Sequence, residues 1–140
     1  MGLDCNEIVF RLALNAKCVQ PNSTEAFLLR RSDNGKLSVY RFAHTNFEDC
    51  SAKYNRPKGA FTLHVGRVRT LAAKGFQLEV IQDESVTDKC PGHASILNLP
   101  DPQVEAEVLE AERLATLLRK QSRQLDPPSR PPPLPSSPTP

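Results

Sequence analysis

Along residues 7–14 apolar groups fall on every second position, with Ile8, Phe10, Leu12 and Leu14 alternating with Val9, Arg11 and Ala13. A period of two sends successive side chains to opposite faces, so a strand with one buried face is expected, a short helix being the alternative. Pro21-Asn22-Ser23 breaks the chain. The apolar residues 26–29 and the alternating residues 36–42 then flank Ser32-Asp33-Asn34-Gly35. Asn-Gly supplies the positive φ angles of a tight turn, and the pattern predicts a β-hairpin there.

Thr45-Asn46-Phe47-Glu48 has the form of a capping box, and Phe47, Cys50 and Tyr54 follow at helical spacing until Arg56-Pro57 stops the helix. Residues 60–63 read as a strand. Residues 65–74 read as a helix, with Val65, Val68 and Leu71 on one face and Gly75 closing it. Residues 76–81 and 93–97 read as two more strands. Asp101-Pro102 resembles a helix start. Beyond it Val104, Val108, Ala111, Ala115 and Leu118 recur at steps of four, three, four and three, widened by Leu114 and Leu117. That stripe needs a surface to lie on, either the chain's own sheet or a partner. Glutamates crowd the first half of this helix and cations the second, an order that complements the helix dipole.

Short strands and short helices mixed in this order predict a small two-layer α+β domain. It would have a mixed or antiparallel sheet and one long C-terminal amphipathic helix. Residues 125–140 are half proline, eight of sixteen, with too little apolar area to offset the entropy of ordering them. The expected division is one domain over residues 1–124 and a disordered proline-rich tail over residues 125–140.

Composition narrows the function classes. No run approaches the roughly 18 apolar residues of a membrane helix. The first residues also lack the basic-then-apolar pattern of a secretory leader. Four scattered cysteines without a Cys-x-x-Cys pair then read as reduced thiols in a cytoplasmic protein. The net charge of +2 hides an excess of +6 over residues 1–75, where twelve cations meet six acids.

Candidate chemistry is sparse. His44, Cys50, Cys90 and His93 include one Cys-x-x-His pair, yet His44 and Cys50 straddle a helix start, so no metal is assigned. His64, Arg67 and His93 are the candidate catalytic set, with Ser38 and Tyr40 nearby in the reading. Two imidazoles could pass protons while the guanidinium holds a phosphate, provided the three converge. Lys53, Arg56 and Lys58 around Tyr54 form the best anion-binding loop, and with the basic first half they offer a nucleic-acid backbone a track. In the tail, Pro132 and Pro135 give one P-x-x-P in a segment suited to polyproline II. No nucleotide-binding glycine loop, nucleophile elbow or zincin motif is present, and no cofactor is assigned.

Leu37-Ser38-Val39, Val65-Gly66-Arg67-Val68-Arg69-x-Leu71 and His93-Ala94-x-Ile96 resemble a pattern in small uncharacterised bacterial proteins. The resemblance covers about residues 26–98 and implies no activity. The sequence thus reads first as a non-enzymatic intracellular binding or adaptor module for a protein partner, such as one from the same operon. Val108, Leu118, Pro132 and Pro135 would be its contacts. A small phosphate-handling enzyme built on His64, Arg67 and His93 is the alternative, and nucleic-acid binding is the third reading.

Overall fold

The computed structural model describes residues 2–33, 35–53, 57–73, 75–83 and 91–126. Within them six strands form one antiparallel sheet: β1 (Ile8–Ala13), β2 (Leu37–Arg41), β3 (Gly59–His64), β6 (Glu79–Gln82), β7 (His93–Leu97) and β8 (Arg123–Leu125). Their spatial order is β6-β7-β2-β1-β3-β8. A small separate hairpin pairs β4 (Ala72–Ala73) with β5 (Phe76–Gln77). Among the described residues three α-helices join the sheet: α1 (Phe47–Lys53), α2 (Val65–Val68) and α3 (Val108–Gln121). The expected α+β architecture of sheet, short helices and C-terminal helix is therefore present.

Register assigns the two faces. Val9 lies opposite Leu63 and Arg41, Leu37 opposite Ile96, and Val39 opposite Ala94. Directly opposed residues share a face. On this side Val9, Leu37, Val39, Phe61, Leu63, Val80 and Ile96 join Leu114, Ala115 and Leu118 of α3 in the main core. The other face carries Phe10, Leu12, Tyr40 and Ala60, covered by Phe47 and Cys50 of α1. The central strands are thus buried on both sides, and α1 adds a partial third layer to the two expected from sheet and long helix. This explains why β1 buries Val9 and Phe10 alike, where strict alternation predicted one buried face.

The hairpin expected across residues 26–42 does not form. Both edges of β2 are taken by distant strands, β1 on one side and β7 on the other. Glu25–Phe27 instead make a 3-10 turn whose Ala26 and Phe27 are buried, with the Phe27 ring 5.6 Å from that of Phe61. Arg11 fixes this turn from below, donating from Nε to the Ala26 carbonyl (2.7 Å) and from Nη1 to the Ser38 carbonyl (2.9 Å). Asn34 lies outside the described residues, while Gly35 keeps the positive φ, 79°, that the turn needs.

The helix expected over residues 65–74 stops at Val68. The chain turns back into β4, and Leu78 N–H bonds the Leu71 carbonyl at 2.8 Å. Gly75, at φ 81°, serves the turn between β4 and β5 rather than a helix end. At α1 the cap is Asn46, whose Oδ1 accepts from Asp49 N–H at 2.8 Å, one residue after the predicted Thr45. Asp101-Pro102 makes a turn instead of starting the long helix. Asp101 Oδ1 accepts from Gln103 N–H and the Asp101 carbonyl from Val104 N–H, and α3 begins only after a 3-10 turn at Glu105–Glu107.

The expected boundary between residues 124 and 125 falls inside β8, where Leu125 pairs with Ala60 and Gln124 with Phe61. Leu125 also packs against the Phe10 cluster. A chain ending at Asp126 keeps every described ladder, so its urea midpoint should match that of the full chain. Ending it at Ser122 removes one edge strand and should cost about 1–2 kcal/mol, since a half-buried leucine and its ladder bonds go. Equal midpoints for the two truncations would contradict the role given to β8.

Candidate functional site

The predicted catalytic set is not assembled. His93 and His64 point to the same face of the sheet, because Tyr40, Phe10 and Thr62 form the cross-strand row that starts at His93, and His64 lies two residues beyond Thr62. However, β2 and β1 stand between their strands. Three strand spacings amount to about 14 Å, far outside hydrogen-bond reach. Arg67 is exposed on α2, and its carbonyl receives the Thr70 hydroxyl at 2.6 Å. The distance requirement of the two-histidine mechanism is not met.

His93 belongs to a polar network on β7, β2 and the end of β6. Its Nδ1 is 2.9 Å from the Asp83 carbonyl, which can only accept, so that nitrogen carries the proton. Nε2 is then the acceptor, 2.9 Å from the Ser38 hydroxyl. Ser95 Oγ donates to Asp83 Oδ2 at 2.9 Å, and Lys36 Nζ lies 3.5 Å from the same oxygen. Asp83, His93 and Ser95 are all buried. Each would be costly unpartnered, and together they tie β6, β7 and β2 into one register. Both ring nitrogens of His93 are committed inside the protein, which leaves neither for a metal or a substrate proton.

The other predicted positions are scattered as well. The Cys50 sulfur is buried under α1, 3.6 Å from Thr45 Oγ1, and Cys90 lies outside the described residues. Among the described residues no group of three or more His, Cys, Asp or Glu side chains could hold a metal ion. Of the anion-binding loop, Lys53 and Lys58 are exposed, while Tyr54 and Arg56 lie outside the described residues. The basic first half presents less charge than its composition implies. Arg41 is gripped bidentately by Glu7, with Nε and Nη2 at 2.8 and 2.9 Å from the two carboxylate oxygens. Burial lowers the pKa of Arg11, whose guanidinium points at backbone carbonyls.

The predicted partner contacts divide. Leu118 is fully buried in the protein's own core and Val108 is half-buried, so the stripe on α3 serves the sheet. Pro132 and Pro135 lie outside the described residues. The apolar group that α3 does expose is one the periodicity passed over: Leu109, 86% exposed, lies off the stripe between Val108 and Glu110. One turn further on, Arg113 pairs with Glu110 and donates from Nη2 to the Ala72 carbonyl at 3.1 Å. That contact sets the β4–β5 hairpin beside this side of the helix, and the hairpin carries Phe76, 66% exposed. Glu105 and Glu112 are exposed on the same helical segment as Leu109. The signal available in the sequence was a leucine out of phase with its own helix. Among the described residues no helix is long and apolar enough to cross a membrane. No family model, curated protein or solved structure matches the chain.

Proposed function

We propose that this protein is a non-enzymatic intracellular binding module that engages a protein partner through the end of the domain formed by α3 and the β4–β5 hairpin. One observation carries the reading: Leu109 stands 86% exposed on a helix whose opposite side is sealed in the core. Phe76, on the neighbouring hairpin, adds a second large apolar group to that end. Large exposed apolar side chains set within a polar rim are characteristic of interaction sites. The rim here is acidic, with Glu105 and Glu112 exposed near Leu109. The fitting partner segment therefore places an apolar anchor between lysines or arginines.

Leu109→Arg tests this directly, because it removes the anchor and repels a basic segment while touching no core group. Its stability should stay within about 0.5 kcal/mol of the parent. Recovery of the partner in affinity purification should fall about ten-fold or more, whereas Leu14→Arg, at another exposed leucine, should leave it unchanged. Equal recovery with all three proteins would overturn the assignment of this surface.

A further inference from the structure

The hairpin beside Leu109 is tied down by its own backbone groups. Leu78 N–H bonds the Leu71 carbonyl at 2.8 Å, and Ala73 lies opposite Phe76. Antiparallel pairs alternate, so the pair between these, Ala72 and Gln77, turns its backbone groups outward. Both outward carbonyls are already taken. Arg113 Nη2 donates to that of Ala72 at 3.1 Å, and Asn98 Nδ2 to that of Gln77 at 2.8 Å. Gln77 Nε2 in turn donates to the Arg69 carbonyl at 3.1 Å. Phe76 therefore projects from a hairpin fastened to α3, to the end of α2 and to the residue after β7.

The main sheet offers no freer edge. On its outer side β6 meets the N-terminal segment, with Gly2 opposite Ile81 and Leu3 N–H bonded to the Val80 carbonyl at 3.1 Å. At the other edge β8 has three residues, and Arg123 and Gln124 are exposed on it. A short, charged edge strand resists pairing with another chain. Adding a strand needs an open row of backbone donors and acceptors, and among the described residues no edge presents a long one.

What this end presents instead is side chains. Five large apolar residues are exposed among the described residues, and three of them lie on the hairpin, on α3 or at its entry: Phe76, Leu109 and Val104, the last 42% exposed. Arg113 stands one turn after Leu109 on the same helix face, so its bond to Ala72 brings the hairpin alongside that face. We propose that the partner segment is a basic amphipathic α-helix, a form that rests on the interface proposed above. A helix satisfies its own backbone and binds through apolar residues at steps of three and four, which suits a surface whose outward carbonyls are occupied. Its apolar stripe lies across Phe76, Leu109 and Val104, and flanking lysines or arginines meet the exposed Glu105 and Glu112. The fastened hairpin holds Phe76 in place beforehand, which lowers the ordering cost of binding.

The probes are two synthetic peptides of about 18 residues, five helical turns, made of the same leucines and lysines in two orders. One places leucine at steps of three and four, the other at every second position. Each is titrated into the isotope-labelled full chain at concentrations where the peptide is monomeric, and amide shifts report the contact. The helical order should move amides at residues 72–73, 76–77 and 104–113 and bind about ten-fold or more tighter than the alternating order. Leu109→Arg should abolish those shifts. Equal or tighter binding of the alternating order at the same residues would overturn the helical form and leave the surface standing. No shift at these residues with either peptide would overturn the surface and the helix together. Both comparisons use the unaltered chain, so they decide the matter whatever the variant does.

Discussion

Leu118→Asp should leave the chain unfolded at 25 °C, whereas Leu109→Asp on the same helix should leave its stability nearly unchanged. Leu118 is fully buried and belongs to the main core with Phe27, Phe61 and Leu114. Truncating a buried leucine costs about 2–5 kcal/mol through lost transfer energy and the cavity left behind. A carboxylate placed there adds several kcal/mol more, because it must be desolvated without a built partner. The sum approaches the roughly 5–15 kcal/mol that holds a domain of this size together. Circular dichroism and urea titration of the two variants decide the point. Two variants of equal stability would mean that α3 does not lie on the sheet, and the architecture would have to be redrawn. The contrast also matters for interpreting binding data: a partner lost through Leu118→Asp reports unfolding, and only the Leu109 variant reports an interface.

How much of this was legible in the sequence depended on whether the deciding contact was local. The pattern gives β7 its observed bounds, and β3 to within a residue at each end, because apolar alternation and turn residues suffice there. Residues 26–29 depart from expectation because four apolar residues beside an Asn-Gly turn look the same whether they pair as a strand or lie as a lid. What decides is that β1 and β7 already occupy both edges of β2, and neither neighbour can be seen from the turn. The amphipathic stripe of α3 was found, but a stripe does not say which surface it meets. Leu118, expected as a partner contact, is core.

The two-histidine site failed for a related reason. His64 and His93 share a sheet face, as residue type and strand alternation allowed, but strand order is long-range information, and it put two strands between them. His64 instead lies opposite Ile8 at the end of β3, with its ring beside Gly66. Cys5 meets Arg69 across 64 positions of sequence, with no spacing rule to announce it. The polar network around His93 was equally invisible, since it required β6 and β2 to flank β7.

Arg119→Ala is the second large effect, and it concerns a residue whose sequence role was only to complement the end of a helix dipole. Its guanidinium gathers the loop after β1: Nη1 donates to the Cys18 and Ser23 carbonyls at 2.8 and 3.2 Å, and Nη2 to the Gln20 carbonyl at 3.3 Å. Nη2 also reaches Gln124 Oε1 on β8 at 3.1 Å, and the guanidinium carbon lies 4.3 Å from the centre of the Phe61 ring. Burial lowers the pKa of this arginine, the mark of a cation drawn partly out of water to make these bonds. A hydrogen bond to a charged group is worth about 1.5–3 kcal/mol and an exposed cation–π contact about 0.5–1 kcal/mol. Water can replace some of the lost donors at the exposed edge, so the expected cost of the alanine variant is about 2–4 kcal/mol. Arg119→Lys should recover less than half of that, because a single ammonium cannot span acceptors on both the loop and β8. Urea midpoints measure the costs, and amide exchange should accelerate first at residues 18–23, where the carbonyls lose their common donor. A lysine variant as stable as the parent would show that charge alone matters at this position, and that the forked geometry does not bind the loop to the helix.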